Sequence, residues 1–334
     1  MVSMKDIAAK CGVSVATVSK ALNDHSDISD ETKKLIKDTA KAMGYFPNSS
    51  ARALKTKRTY NLGVLFVDEA QSGLTHDYFS HVLDSFKRYA EQHGYDITFI
   101  NARVRKNMTY LEHSKYRGVD GVVIACVDFY DKDVIDLINS DLPVVTIDHV
   151  FDSRISVVSD NIGGMRDLIN YVYARGHRKI AYIYGDNTAV TQNRVASYYN
   201  TLKNLGVETR DDYLLESTYR NPKHAAELTK KLLKMKDRPT CIIYPDDYSC
   251  IGGLNAIAAQ GLAVPEDISV AGYDGLYVSQ IMDPKLTTIA QDTEEIGRVA
   301  AEELIKLIED PKATLIEKIV VPGQVLEGGS VGEK

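Results

Sequence analysis

Met4-Lys5-Asp6-Ile7-Ala8-Ala9-Lys10-Cys11-Gly12-Val13-Ser14-Val15-Ala16-Thr17-Val18-Ser19-Lys20-Ala21-Leu22-Asn23 reads as two short helices joined at a glycine. Ser3 and Asp6 have the spacing of a capping box, and Ile7, Ala8 and Cys11 recur at helical intervals until Gly12 stops the first helix. Ser14 caps the second, with Val18, Ala21 and Leu22 on one face and Val15, Ala16, Ser19 and Lys20 elsewhere. Ser29 then caps a third helix whose stripe is Leu35, Ile36, Ala40 and Met43, ending at Gly44. Three short helices predict one small all-α core.

Working outward, Pro47-Asn48 breaks the pattern. Ser49 to Arg58 is helix-compatible but too poor in apolar surface to stand alone in water, so it reads as a linker that becomes helical only against a partner. From Asn61 the grammar changes to strand-length apolar runs alternating with amphipathic helices. Strands are expected at 62–67, 97–101, 121–127, 144–147, 180–184, 213–217, 241–244 and 268–273. Helices are expected at 79–92, 164–175, 196–205, 225–234 and 251–260. That alternation predicts an α/β body of two doubly wound parallel sheets, split near Ser156 to Asn161, with a cleft beyond the carboxyl ends of the strands.

The chain has 334 residues and a net charge of -6. Eleven lysines and arginines face six acids in residues 1–60, leaving 29 bases against 40 acids behind them. A basic head attracts phosphate and an acidic body repels it. Cys11, Cys126, Cys241 and Cys250 form no C-x-x-C pair, and reduced thiols, mostly in the core, are expected in place of a disulfide or metal. With no signal segment and no run of membrane-spanning length, the expected location is the cytoplasm. Nucleophile-elbow, P-loop, zinc-helix and dinucleotide motifs are absent, so the expectation is a non-enzyme with no cofactor. His177, following Gly176 at a helix exit, reads as a surface or helix-capping residue.

A second helix laid in the major groove would bring Val15, Ala16 and Lys20 to base edges, with Ser14, Thr17 and Ser19 at phosphates. Val15 and Ala16 offer only apolar contact, which leaves Lys20 as the polar base reader. In the body, Asp148, Asp246 and Asp274 each follow an apolar run, which places their carboxylates at the cleft. Facing carboxylates suit a hydroxyl-rich ligand. Capping the next helix is the competing reading, strongest for Asp246. Phe79 shares a helix stripe with Val82, Leu83 and Phe86, so core and pocket are both open to it. Tyr78 is the better stacking candidate, and Phe129 lies just past a strand end.

Ile7 to Asn23, Gly44 to Leu54, G-H-R-K-I-A-Y-I at 176–183, D-D-Y-S-C-I-G-G-L at 246–254, P-E-D-I-S-V-A-G-Y-D at 265–274 and P-K-L-T-T-I at 284–289 together resemble the lactose/galactose-repressor family of bacterial transcription regulators. The resemblance runs along essentially the whole chain. It implies a helix-turn-helix head at 1–47, a hinge helix at 48–59, and a periplasmic-binding-protein-like body at 60–334 for effector binding and dimerisation. The lobe nearer DNA would hold about 60–160 and 291–318, and the farther lobe about 161–290 and 320–334. It adds Asn23, Tyr45 and Asn48 to the DNA-contacting set. Leu54 would wedge into the minor groove, with Ala51, Arg52 and Lys55 beside it. Arg194 matches the family's ligand-clamping arginine, Asp274 its partner, and Tyr219 lies near a stacking aromatic. Where the family often has Asn-Pro before two aromatics, this chain reads His76-Asp77-Tyr78-Phe79. The function implied is a homodimeric repressor on pseudo-palindromic operator DNA, switched by a small effector in the cleft. A sugar is favoured, a nucleoside or purine is the alternative, and a solute-binding protein is a distant third.

Overall fold

The structure is a computed structural model that describes residues 2–46, 58–67, 73–101 and 108–334. The chain separates into two compact units, 1–59 and 60–334.

The head has α1 (Met4–Cys11), α2 (Val15–Leu22) and α3 (Asp30–Ala42). Ser3 and Asp6 form a complete capping box, Gly12 stops α1 at φ 65°, and the hydroxyls of Ser14 and Ser29 accept the Thr17 and Thr32 amides. Ile7, Ala8, Val18, Ala21, Ile36 and Ala40 make the core. Leu35, expected on the inward stripe, is exposed, because Ile36 and Ala40 already fill the narrow face of α3. The expected hinge helix up to position 57, including Asn48, Ala51, Arg52, Leu54 and Lys55, lies outside the described residues.

In the body the first lobe is a parallel sheet of β1 (Asn61–Phe66), β2 (Asp96–Ile100), β3 (Gly121–Ala125), β4 (Val144–Ile147), β5 (Ile155–Ser159) and β11 (Lys318–Val321), in the order β11-β5-β4-β3-β1-β2. One face carries α4 (Asp77–Gln92) and α12 (Thr293–Glu309), packed through Val82, Phe86, Ala301 and Leu304. A Cβ on Gly297 would sit 2.1 Å from the Val82 carbonyl oxygen, so the α4–α12 approach requires glycine there. The other face carries α5 (Tyr110–Arg117) and α6 (Lys132–Ile138).

The second lobe is a parallel sheet in the order β7-β6-β8-β9, from β6 (Ile180–Tyr184), β7 (Leu214–Glu216), β8 (Cys241–Ile243) and β9 (Ser269–Ala271). Helices α7 (Asn161–Ala174) and α8 (Ala189–Asn204) cover one face through Leu168, Tyr198 and Leu202. Helices α9 (Pro222–Leu233) and α10 (Asp247–Ala258) cover the other through Leu232 and Ile257. Short α11 (Tyr277–Ile281) follows β9. The chain passes between lobes three times: from β5 into α7, from β10 (Thr288–Ala290) into α12, and from β11 into β12 (Gln324–Leu326), which pairs antiparallel with β10.

Several boundaries depart from the sequence reading. Val320 and Val321 pair with Val158 and Ser159, so the third crossing follows Val321 and these two residues belong to the first lobe. Four of the body helices start three to seven residues earlier than their apolar stripes suggest, because Asp160, Thr188, Asn221 and Asp246 cap first turns that carry little apolar periodicity. His177 is not on the surface. It is fully buried, bonded to Thr240 Oγ1 at 2.8 Å and to the Gly332 carbonyl at 3.1 Å, because the C-terminal segment folds across it. None of the four cysteines is in a disulfide: Cys241 and Cys250 are buried, Cys11 and Cys126 half-buried.

Candidate effector cleft and DNA-reading helix

On α2 the side chains of Val15, Ala16 and Lys20 are exposed, as a reading surface requires, while Thr17 and Ser19 are half-buried. The hydroxyls of Ser14 and Thr17 bond each other at 2.8 Å, and Asn23 Nδ2 turns back to the Ser19 carbonyl at 2.6 Å. Lys20 is ion-paired with Asp27, in the turn after α2, so its ammonium is shared with a carboxylate before any DNA arrives. Tyr45 is half-buried against the small core.

The body holds a cavity of about 750 Å³ between its lobes, within the range of about 300–1,000 Å³ usual for small-molecule sites. Every sequence-predicted effector residue lines it: Tyr78, Phe79, Phe129, Asp148, Arg194, Tyr219, Asp246 and Asp274. Four non-glycine residues with left-handed backbones also line it: Cys126 at φ 54°, Asp148 at 60°, Arg220 at 53° and Asp274 at 108°. Such conformations cost energy and persist where surrounding structure enforces them, so their concentration here marks a functional site.

Arg194 sits inside α8 and is buried. Its Nε donates to Asn161 Oδ1 at 2.8 Å and its Nη1 to the Pro245 carbonyl at 3.0 Å, while the guanidinium lies 3.5 Å from the centre of the Tyr273 ring. Burial opposes its charge, but Tyr219, Tyr273, Tyr182 and Asp274 around it outweigh that and hold it cationic. Nη2 donates to no described residue. Arg194 and Asp274 make no direct ion pair in the described structure. Asp274 Oδ1 accepts from Gln291 Nε2 at 2.7 Å, and burial drives its carboxyl well above the ordinary range although Arg194 pulls the other way. A buried cation and a half-buried acid thus line one chamber with hydrogen-bonding capacity left over.

The other two carboxylates are more fully engaged. Asp246 caps α10: its Oδ1 accepts the Ser249 amide, and its Oδ2 accepts the Ser249 hydroxyl and the Arg220 amide, each at 2.8 Å. The capping role is therefore real, and the residue still lines the cavity. Asp148 accepts the Ser159 amide at 3.2 Å and the Tyr78 hydroxyl at 2.9 Å, and burial raises its carboxyl.

That bond inverts the expected roles of two aromatics. Tyr78 is buried in the first-lobe core with its hydroxyl committed, whereas half-buried Phe79 packs against Phe66 and His76 and offers the freer ring. Across the cleft Tyr219 bonds Thr191 through its hydroxyl at 2.8 Å. Phe129 stacks on His149 with ring centres 4.3 Å apart and an 11° tilt, and Tyr130 meets the same histidine edge-on. His149, Tyr130, Cys126, Gln291, Asn161 and Arg220 were not anticipated. The strand-end rule that selected Asp148 selects Cys126 and His149 as well, being one residue past β3 and two past β4; the contribution of Gln291 depends on the crossing after β10, which no apolar run announces.

Residues 3–48 match the lacI family of bacterial regulatory proteins, and residues 169–331 match the periplasmic binding protein-like domain. The chain is 31% identical over 326 residues to the transcriptional repressor PurR of Mannheimia succiniciproducens, covering 95% of this chain and 96% of that protein. It is 31% identical over 319 residues to the transcriptional regulator RegA of Clostridium saccharobutylicum, covering 92% of each. Its fold superposes on the Lac repressor dimer bound to operator and the anti-inducer ONPF with a TM-score of 0.82 at 25% identity, over 99% of both chains. A capped three-helix head, a two-lobed parallel α/β body and similarity along nearly the whole length agree: this chain belongs to the lacI family of bacterial DNA-binding regulatory proteins.

Proposed function

We propose that the protein is a dimeric repressor that binds a pseudo-palindromic operator through α2 and the segment around Leu54, and is switched by a small polyhydroxylated effector, a monosaccharide or short oligosaccharide, in the interlobe cavity. The observation that carries the effector reading is the chamber shared by Arg194 and Asp274: a fixed donor whose Nη2 donates to no described residue and a half-buried acid suit an array of hydroxyls that both accept and donate. Phe129, Phe79 and Tyr219 supply aromatic surface for the apolar face of a sugar ring. One contact favours a second reading. The near-parallel Phe129–His149 pair is a shelf that a purine or nucleoside base would extend.

Dimerisation follows from the small contact one head offers, since two half-sites are needed for tight and selective binding. Effector control requires different affinities for two lobe arrangements. A thermal-shift screen of the full chain against neutral sugars, sugar acids and nucleosides separates the effector readings, because a ligand raises the melting temperature by mass action. Sugar hits support the first reading and nucleoside hits replace it with the second. Fluorescence anisotropy with operator-like and scrambled duplexes tests the DNA reading, which equal affinity for both at physiological salt would defeat.

A further inference from the structure

At the rim of the cavity three side chains meet across the cleft. Asp77 opens α4 of the first lobe, at the position where the family often carries proline. From the second lobe, Arg220 extends its Nη2 to 3.9 Å from Asp77 Oδ2 and to 3.4 Å from the Thr75 carbonyl. Tyr248, on α10, lies beside Asp77, whose carboxylate holds its phenol above the ordinary range, and the Arg220 guanidinium lies 5.0 Å from the centre of the Tyr248 ring. Arg220 is aimed by its own backbone: a left-handed φ of 53° and an amide bond to Asp246 Oδ2 turn the residue toward the opposite lobe.

We infer that Asp77, Arg220 and Tyr248 form a clasp that holds the two lobes together at the mouth of the cavity, and so sets how readily the cleft opens. Asp77 Oδ2 is sealed from solvent and has no hydrogen-bond partner in the described structure, although a guanidinium stands just beyond bonding distance. A small further closure would turn this attraction into a direct charge-assisted bond, which is the arrangement of a clasp not yet fully drawn. Neither Asp77 nor Tyr248 lines the cavity, so both act on an effector only through the position of the lobes. The inference rests on the cleft being the effector site, and it adds the element that biases its two states.

The chain carries its own reporter. Cys126 lines the cavity and is half-buried, whereas Cys241 and Cys250 are fully buried in the second lobe. In the full-length protein with Cys11→Ser, the rate of N-ethylmaleimide labelling at Cys126, read by peptide mass spectrometry without effector, measures opening. Asp77→Asn and Tyr248→Phe are each expected to speed labelling by about threefold to tenfold, the range of one partly exposed polar contact, and together no more than the faster single change. Slow labelling at Cys241 and Cys250 reports that a variant is folded. Should Asp77→Asn expose those two, Tyr248→Phe and added potassium chloride carry the test: salt must speed Cys126 labelling in the unmodified chain. A wild-type rate in the folded variants, effects that multiply, or labelling indifferent to salt would overturn the clasp. Because no effector is present, these outcomes leave the effector screen untouched, and a failed screen leaves the clasp standing.

Discussion

Two cations, Lys20 on α2 and Arg194 on α8, are held by opposite means, and the roles proposed for them are opposite too. Lys20 is half-exposed on a flexible stem and paired with exposed Asp27. Arg194 is buried and fixed by a side-chain amide oxygen, a backbone carbonyl and an aromatic face. A group that must search for phosphates and base edges in water gains from mobility and a replaceable partner. A group that must recognise one small molecule has to be ordered beforehand, so that binding does not bear the cost of fixing it. The acids around them follow the same division: Lys20 holds the Asp27 carboxyl below its ordinary range, whereas burial pushes Asp247, beside the cavity acids, up to about 7.

The largest effect should come from the fixed cation. Arg194→Ala strips buried Asn161 Oδ1 and the Pro245 carbonyl of their donors and uncovers the Tyr273 ring, which is expected to destabilise the body by about 3 kcal/mol. Lys20→Ala should change stability by less than about 0.5 kcal/mol, as for most exposed pairs. Urea unfolding of the full chain, followed by far-ultraviolet circular dichroism, compares the two. Arg194→Lys sharpens the contrast, because it keeps the charge and loses the planar fork. It should retain most of the stability and lose effector-induced thermal shift. If Arg194→Ala left both the melting temperature and the shift unchanged, the arginine would be a bystander.

A middle-sized effect belongs to Asp247. Its Oδ1 accepts the Thr288 hydroxyl and its Oδ2 the Leu276 amide, each at 2.7 Å, which ties α10 to β10 and the turn after β9. The folded carboxyl titrates near 7 against 3.8 in the unfolded chain, so the fold holds its proton more tightly. Stability from this group is therefore greatest below about pH 4 and is lost as pH rises toward and through 7, on the order of 4 kcal/mol in all. Asp148, Asp246 and Asp274 are raised too and slope the same way. Asp247→Asn should keep the geometry, since Thr288 can rotate its hydroxyl to accept from the amide, and should flatten the decline between pH 5 and pH 8. An unchanged slope in denaturant midpoints would show that Asp247 is ionised at both pH values.

These contrasts also explain what could be read from the chain alone. The head was legible to within a residue because caps, glycines and apolar stripe all lie within short stretches, with Leu35 misplaced only because Ile36 competes for the same face. The alternation of strands and helices was legible for the same local reason. The cavity's carboxylates could be found because each follows an apolar strand. By contrast, β10, β11, β12 and α12 were missed as elements: the strands are three or four residues long, and they are defined by partners far along the chain. His177 and Tyr78 were misjudged because the C-terminal segment and Asp148, which decide their roles, are 155 and 70 residues away. Local chemistry writes its signal locally; a site assembled at chain crossings does not.

The smallest effect, and the most discriminating for the mobile cation, is expected from Asp27→Asn. In the structure the Asp27 carboxylate is paired with Lys20 and adds a negative charge beside α2, so a Lys20 that reads DNA would be drawn away from it by this partner. Removing that charge frees the ammonium and removes a repulsion from phosphate, so affinity for an operator duplex should rise by about threefold to tenfold at 50 mM salt and by less at 200 mM, where screening weakens both terms. In a Lys20→Ala background the same change should give only the repulsion part, about twofold. Anisotropy titrations of the four proteins form the cycle. A loss of specific affinity in Asp27→Asn alone would mean that Asp27 steers Lys20 into the groove instead of withholding it. Lys20 would then be a preorganised cation like Arg194, and the division between the two regions would fail.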